Sequence, residues 1–287
     1  CVIALIALIV IGGATRVMEA GLACPDWPLC YGSFLPLTHM NLRVFLEWFH
    51  RLDAFFVGLL ILSKFSLSLI WRKELPKWLP KIYSLLVFLV ILQGSLGALT
   101  VINLLNSSTV TGHLLIAFIL LMTTITINQN LESKAIKEPL IWWKLFLSVP
   151  LLLTLIQSFI GVRLSSTWSA HLCLSFNKQC LILDTHKLFA FPIAVSVLFI
   201  IAISLTRQNL FLKNWKYLCT LFFLLITQIF LGIFSLKTNL NEPMLVISHQ
   251  LNASLLIAIL TTLIFRNPDP EEDIKPSLNS SIIGINS

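Results

Sequence analysis

Four histidines recur at fixed intervals along this chain, and they limit what it can fold into. His50 and His113 are 63 positions apart (113 − 50), and so are His186 and His249 (249 − 186). Each member of the first pair also recurs 136 positions later (186 − 50 and 249 − 113). An internal repeat of this kind indicates a duplicated structural unit. The spacing predicts two copies of one four-helix unit, each carrying a histidine pair.

The segments between the histidines support the duplication. LQGSLGALTV (92–101) lies between the first pair and TQIFLGIFSL (227–236) between the second, and both contain Gln-x-x-x-Gly. The same short motif recurs at Gln157 and Gly161, so on its own it is a weak signal. The shared interval of the histidines is the stronger one.

Composition places the chain in a membrane. It is 57% hydrophobic and 11% charged, with a mean hydropathy of +0.89. Several apolar runs reach or approach the roughly 20 residues that span a bilayer. These runs are long and do not alternate, which favours helices over a barrel. Eight spans are predicted, at about 1–17, 45–71, 82–102, 109–129, 143–164, 182–206, 216–236 and 245–265.

The basic residues predict an orientation. Twelve Lys and Arg fall in loops and ends on one side of these spans and seven on the other, and the richer side is cytoplasmic by the positive-inside rule. Both termini then lie in the cytoplasm, and all four histidines lie at one level near the outer leaflet. The net charge of +7 fits cytoplasmic loops rather than nucleic-acid binding. The polar end of the chain, residues 266–287, is predicted to be a disordered cytoplasmic tail.

Imidazoles inside membrane helices are costly and usually functional. Two imidazoles that face each other from neighbouring helices form the axial clamp of haem iron, whereas zinc or copper usually takes three or more protein ligands. No third His or Cys falls beside either pair in the sequence, so the pattern predicts two haem sites. Four outer cations are candidate contacts for haem propionates, or else interfacial residues that meet lipid phosphate: Arg16, Arg51, Arg163 and Lys187.

One carboxylate distinguishes the two halves. Glu47 precedes His50 by three residues and so shares its helix face. Its counterpart in the second half (47 + 136) is Leu183. A carboxylate beside one site only favours chemistry at that site and electron transfer at the other. An interfacial carboxylate paired with Arg51 is the alternative.

Two cysteine pairs lie in the predicted outer loops, Cys24 with Cys30 and Cys173 with Cys180. Disulfides persist on that side of a membrane. Each pair is predicted to form a disulfide within its own loop. The pair Cys24/Cys30 is either a structural clip or a redox-active dithiol.

A family resemblance emerges from these residues together. The segment GGATRVMEAGLACPDWPLCYG (12–32), with EWFHR, the TGH and SHQ histidines and both cysteine pairs, resembles haem A synthases over about residues 1–265. The resemblance implies an all-α membrane protein of eight helices in two pseudo-symmetric four-helix bundles. It implies oxidation of the C8 methyl of haem O to a formyl group, through hydroxylated intermediates, to give haem A for cytochrome c oxidase.

The resemblance also assigns roles to residues and regions. It implies that His50 and His113 face the substrate haem, with Glu47 catalytic, and that His186 and His249 ligate a haem B cofactor. The halves are then residues 1–130, with the substrate site, and 131–265, with the cofactor site.

The same resemblance implies a setting and partners. The protein is expected in the plasma (inner) membrane of a bacterium, in contact with lipid, haem O synthase (protohaem farnesyltransferase) and an electron donor. No nucleic-acid partner is expected, and a homo-oligomer is left open. The alternative function is a non-catalytic di-haem b-type cytochrome that carries electrons. A thiol–disulfide oxidoreductase is a third possible function, and it would leave the histidines without a role.

Overall fold

The chain is built from helices. The computed structural model describes residues 1–132, 141–166 and 180–266, and those residues contain no named strand. A short 3₁₀ turn at Leu37–His39 lies in the loop between the first two α-helices, which the sequence predicts to be the first outer loop. The α-helices are α1 (Val2–Val17), α2 (Leu42–Ile70), α3 (Leu79–Ile102), α4 (Ser107–Glu132), α5 (Ile141–Ser166), α6 (Leu181–Thr206), α7 (Gln208–Lys237) and α8 (Pro243–Phe265).

Seven of these helices, α2 to α8, are long and apolar enough to cross a membrane. The prediction of an all-α, multi-pass membrane protein is therefore confirmed. Helix α1 has 16 residues, which is about 24 Å at the usual helical rise and shorter than a hydrocarbon core of about 30 Å.

Some helices extend beyond the predicted spans. Helix α2 begins at Leu42 rather than near residue 45 because the Asn41 side chain accepts hydrogen bonds from the backbone N–H groups of Arg43 and Val44. Such an N-cap satisfies donors that the first helical turn leaves free. Helix α7 begins at Gln208, about two turns before the predicted apolar span.

Helix contacts group the chain into two bundles. Helix α1 contacts α2 and α4, and α3 contacts the same two. Helix α5 likewise contacts α6 and α8, and α7 contacts the same two. Helices α2 and α4 therefore stand at opposite corners of one bundle, and α6 and α8 at opposite corners of the other. The twofold relation between the bundles, and their division at residue 130, remain predictions.

The bundles meet along α1, α4, α5 and α8. Helix α8 contacts α1 and α4, and α4 contacts α5. Ile257 of α8 is fully buried. It belongs to the same hydrophobic cluster as Leu5, Ile61, Leu86 and Leu121, which come from the first bundle. Apolar packing therefore continues from one half of the chain into the other. The predicted tail lies outside the described residues, except for Arg266.

Candidate functional site

The two histidines of the first pair face each other inside the first bundle. His50 on α2 and His113 on α4 have ring centroids 6.4 Å apart, with their planes at 81°. A metal between two imidazoles requires bonds of about 2 Å on each side plus about 1 Å from nitrogen to ring centre, or about 6 Å in all. The separation of the two rings therefore suits an axial pair on one iron.

The nitrogen atoms of these rings support the same interpretation. His113 Nδ1 donates to the backbone oxygen of Gln93 at 3.1 Å, which places the lone pair of the neutral ring on Nε2. Nδ1 of His50, His186 and His249 is buried and has no hydrogen-bond partner among the described residues. The described part of the chain contains no cluster of three or more His, Cys, Asp or Glu side chains that could hold a metal ion. Paired imidazoles of this kind fit haem iron.

Each of the four histidine rings lies against a glycine on the preceding helix. A Cβ placed at that glycine would approach the imidazole Cε1 to 2.8 Å at Gly12, 3.2 Å at Gly97, 3.0 Å at Gly161 and 3.2 Å at Gly232. A side chain at Gly12 would force the ring to shift, and at the other three glycines the ring would have to give way by a few tenths of an ångström. From the sequence, three of these glycines were identified only as the last residue of Gln-x-x-x-Gly, a motif treated as weak, and none of the four was expected to contact a histidine.

Two glutamines of the same motif contact the histidines of α4 and α8. Gln93 Nε2 lies 3.4 Å from His113 Nε2, and Gln228 Nε2 lies 3.1 Å from His249 Nε2. The amide is in each case next to the nitrogen that would bind iron. Gln93 and Gln228, which the sequence identified only as the first residues of that motif, are therefore neighbours of the candidate ligands.

Glu47 connects α2 to the first outer loop. Its side chain is buried, with Oε2 accepting from the Cys24 backbone N–H at 2.7 Å and Oε1 bonded to Arg51 Nη2 at 2.5 Å. Arg51 Nη1 also donates to the backbone oxygens of Asp26 and Leu29, at 2.6 and 2.5 Å. Glu47 therefore lies one helical turn from His50, as predicted, and both its oxygens are engaged by Arg51 and the loop. The pairing with Arg51 is the contact that the sequence offered as the alternative role.

The first outer loop is closed by a disulfide. Cys24 and Cys30 are bonded to each other, and both are buried, so the prediction for this pair is confirmed. Asp26 inside the loop accepts from the backbone N–H groups of Gly32, at 2.8 Å, and Tyr31, at 2.6 Å. Both amides lower the pKa of the Asp26 carboxyl from its usual value, and the amide of Gly32 has the larger effect.

The second predicted disulfide is only partly described. Cys180 is disulfide-bonded, whereas Cys173 lies outside the described residues. Their pairing stays a prediction.

Two of the predicted outer cations contact protein groups near the bundle ends. Arg163 donates to Ser108 Oγ at 3.4 Å. Lys187 lies 3.6 Å from Asp184 in an exposed ion pair, which contributes little to stability. Neither contact indicates that these side chains bind a haem propionate.

Arg16 has a different environment. Its Nη2 donates to Gln250 Oε1 at 2.8 Å, and Gln250 Nε2 donates to the Ile9 backbone oxygen at 3.0 Å. Arg16 Nη1 is buried and has no hydrogen-bond partner among the described residues. A buried cationic donor without a partner is costly. Among the four predicted cations, Arg16 is therefore the one whose structure best suits an anionic ligand.

A comparison of the whole sequence decides the family. The profile of a family described as cytochrome oxidase assembly protein matches residues 1–261. The chain belongs to the cytochrome oxidase assembly protein family. The resemblance to haem A synthases seen in the sequence is confirmed by this membership and by relatives that carry that name.

This member of the cytochrome oxidase assembly family is similar to several proteins named heme A synthase. One from Shewanella oneidensis is 37% identical over 130 residues, which is 40% of this chain and 38% of the relative. One from Bacillus pumilus is 30% identical over 142 residues, 46% and 45% of the two chains. One from Ehrlichia canis is 24% identical over 324 aligned positions, 92% and 90% of the two. The chain spans less than half the length of the first two relatives and nearly all of the third.

Proposed function

We propose that this protein oxidises the C8 methyl group of haem O to a formyl group and so produces haem A. The observation that carries the proposal is the facing pair His50 and His113, 6.4 Å apart in a membrane bundle, with the buried carboxylate of Glu47 one turn away. Membership of the cytochrome oxidase assembly family and the relatives named heme A synthase support it.

The two histidine pairs take different haems in this proposal. His50 and His113 face haem O as substrate, and His186 and His249 ligate a resident haem B. The absence of a carboxylate at Leu183, the counterpart of Glu47, supports this division. When bound, haem supplies the one-electron and oxygen chemistry that side chains lack.

Glu47 is the proposed catalytic residue of the substrate half. With dioxygen as oxidant and two electrons from the donor, each hydroxylation of the methyl carbon takes up two protons and releases one water, so protons have to be relayed to the reacting site. The Glu47 carboxylate is held in place by Arg51 and by the Cys24 amide. A positioned group of this kind contributes a factor of roughly 10²–10⁴ to a rate.

Arg16 is the proposed propionate contact. Its buried Nη1 has no partner among the described residues, while Nη2 is fixed by Gln250. A guanidinium held at one end and free at the other can form a charge-assisted hydrogen bond with a carboxylate. Arg51, by contrast, commits both terminal nitrogens to Glu47 and to loop carbonyls.

The proposed setting follows from the basic loops and from the family. Both termini face the cytoplasm of a bacterium, and both histidine pairs lie toward the outer side of its plasma membrane. Haem O reaches the first half from haem O synthase, and an electron donor serves the second half. The Lys and Arg distribution supports this orientation.

Pigment analysis tests the function. The protein is purified after co-expression with a haem O-making enzyme, and its haems are extracted and separated by chromatography. We expect haem B together with haem O and haem A. Haem B alone, with no conversion of haem O, would point to a b-type cytochrome instead.

The glycine contacts give a separate prediction. Gly161→Ala places a Cβ 3.0 Å from His186 Cε1, so the ring has to give way by a few tenths of an ångström. We expect a severalfold loss of bound haem B, measured as the haem-to-protein absorbance ratio. Gly94→Ala is the control, because a Cβ at Gly94 meets no heavy atom within 4 Å. Equal haem contents in the two variants would contradict the contact.

A further inference from the structure

An uncharged apolar turn lies in the loop between α1 and α2. Positions 27–42 of this loop contain no Asp, Glu, Lys or Arg. Within that run, residues 34–37 have the sequence Phe-Leu-Pro-Leu, and they are called the FLPL turn below. Phe34 is 87% exposed, Leu37 70% and Leu35 45%. Exposed apolar side chains grouped in this way mark a surface that contacts a membrane or another protein.

Hydrogen bonds hold the FLPL turn in a defined conformation. Ser33 Oγ accepts from the Leu35 backbone N–H at 3.3 Å and donates to the Leu35 backbone oxygen at 3.2 Å. The backbone of Ser33 also pairs with that of Cys30 in both directions, at 3.0 and 3.1 Å. Cys30 is in turn fixed by its disulfide with Cys24. The loop therefore presents the apolar side chains of the turn on an ordered backbone.

A hydrogen bond to α2 sets the depth of the turn. Trp48 Nε1 donates to the Phe34 backbone oxygen at 2.6 Å. Trp48 lies six residues (48 − 42) beyond Leu42, the first residue of α2, which is about 9 Å along the helix axis. Val44 of the same helix is buried together with both cysteines of the loop disulfide. The FLPL turn therefore lies beside the first turns of a helix that is long and apolar enough to cross a membrane.

The side of α2 next to this hydrogen bond carries exposed aromatic rings. Phe45 and Phe49 are both exposed, and their rings stack with centroids 5.5 Å apart. The Trp48 ring lies 6.0 Å from that of Phe45 and 6.4 Å from that of Phe49. Exposed aromatic side chains near the end of a membrane-spanning helix meet lipid at the interface. Through Trp48, the FLPL turn is continuous with this lipid-facing surface.

We infer that the FLPL turn is a membrane anchor, whose apolar side chains Phe34, Leu35 and Leu37 enter the boundary between lipid headgroups and acyl chains. The occupant is lipid because the turn lies at the depth of the exposed rings of α2 and is continuous with them. Apolar side chains gain from leaving water there, and the uncharged run around them brings no ionised group into the boundary. The Trp48 N–H keeps a hydrogen-bond partner, as an indole at this depth requires. The inference does not depend on the proposed function.

Photo-crosslinking in lipid nanodiscs tests the anchor. p-Benzoylphenylalanine replaces Phe34 in the full chain, in nanodiscs of phosphatidylethanolamine and phosphatidylglycerol, and mass spectrometry identifies the adducts after irradiation. Position 19 of the same loop is the control, because Glu19 is exposed in an ion pair with Arg43 at 3.4 Å and such charged groups stay in water. Burial of a Phe side chain favours the lipid environment roughly ten- to a hundredfold, so lipid adducts at position 34 should exceed those at position 19 by about tenfold or more.

A second position keeps the inference open to refutation if the first variant does not fold. Folding is judged by size-exclusion chromatography and by the intact disulfide between Cys24 and Cys30. p-Benzoylphenylalanine in place of Leu37 should also give mainly lipid adducts. Equal yields of lipid adducts at positions 34, 37 and 19 would overturn the anchor. Crosslinks from the turn to another protein in native membranes, in place of lipid adducts, would overturn it too and show a protein-docking surface instead.

Discussion

Replacing Glu47 with Gln should lower haem A production by roughly tenfold or more, which is within the usual contribution of a positioned acid–base group. Gln keeps the volume of the side chain but cannot relay a proton, because its amide does not titrate. Haem O or its hydroxylated intermediate should accumulate in place of haem A, while the haem B content stays at the parental level. Haem extraction and chromatography of the purified variant measure all of these quantities.

The structure requires a control for the second role of Glu47. Its carboxylate also anchors the outer loop through the Cys24 amide, and Gln can accept only on one side. Trp48→Phe removes another tether of that loop, the hydrogen bond from Trp48 Nε1 to the Phe34 backbone oxygen at 2.6 Å, without changing the carboxylate. We expect that variant to make haem A at close to the parental rate. An equal loss of haem A in both variants would show that loop anchoring explains the effect of Glu47.

Replacing His186 or His249 with Ala should remove most of the resident haem B. Changes to partners behind a ligand already reduce metal affinity by roughly 10–100-fold, and loss of an axial ligand should reduce it by at least as much. Haem A production should fall with it, because the second half then has no cofactor to pass electrons. The haem-to-protein ratio and the spectrum of the reduced protein report the loss.

The matching variants of the first pair test whether the halves are assigned correctly. His50→Ala and His113→Ala should retain haem B and fail to convert haem O. If they lose haem B while His186→Ala and His249→Ala keep it, the resident and substrate sites must be exchanged. Retention of haem B in all four variants would exclude histidine ligation in either half.

The sequence predicted the parts of this architecture that depend on long-range regularity. The 136-residue interval placed His50 and His186 on corresponding helices, and the apolar runs located the membrane helices. Cys24 and Cys30 were predictable as a disulfide because they lie six positions apart in a loop predicted to be on the outer side. Each of these features is visible within one segment or as a repeat between two.

The contacts around the histidines could not be predicted because they depend on how helices pack. Arg16 and Gln250 are 234 positions apart and meet only through the contact between α1 and α8. Glycine is permitted at many helix positions, so Gly12 has no signature until the His50 ring is placed against it. The orientation of an amide such as Gln228 depends on its partner Asn252, which comes from another helix.

Two adjacent glycines of helix α1 lie against two different side chains. A Cβ at Gly12 would meet His50 at 2.8 Å, and a Cβ at Gly13 would meet the Gln250 side chain at 2.6 Å. Gln250 follows His249 directly, so consecutive residues of α1 contact His50 of the first pair and the sequence neighbour of His249 of the second, about 100° apart around the helix. A change in the tilt of α1 would therefore alter its contacts with α2 and with α8 together. Substitutions at the two glycines should accordingly have non-additive effects on stability.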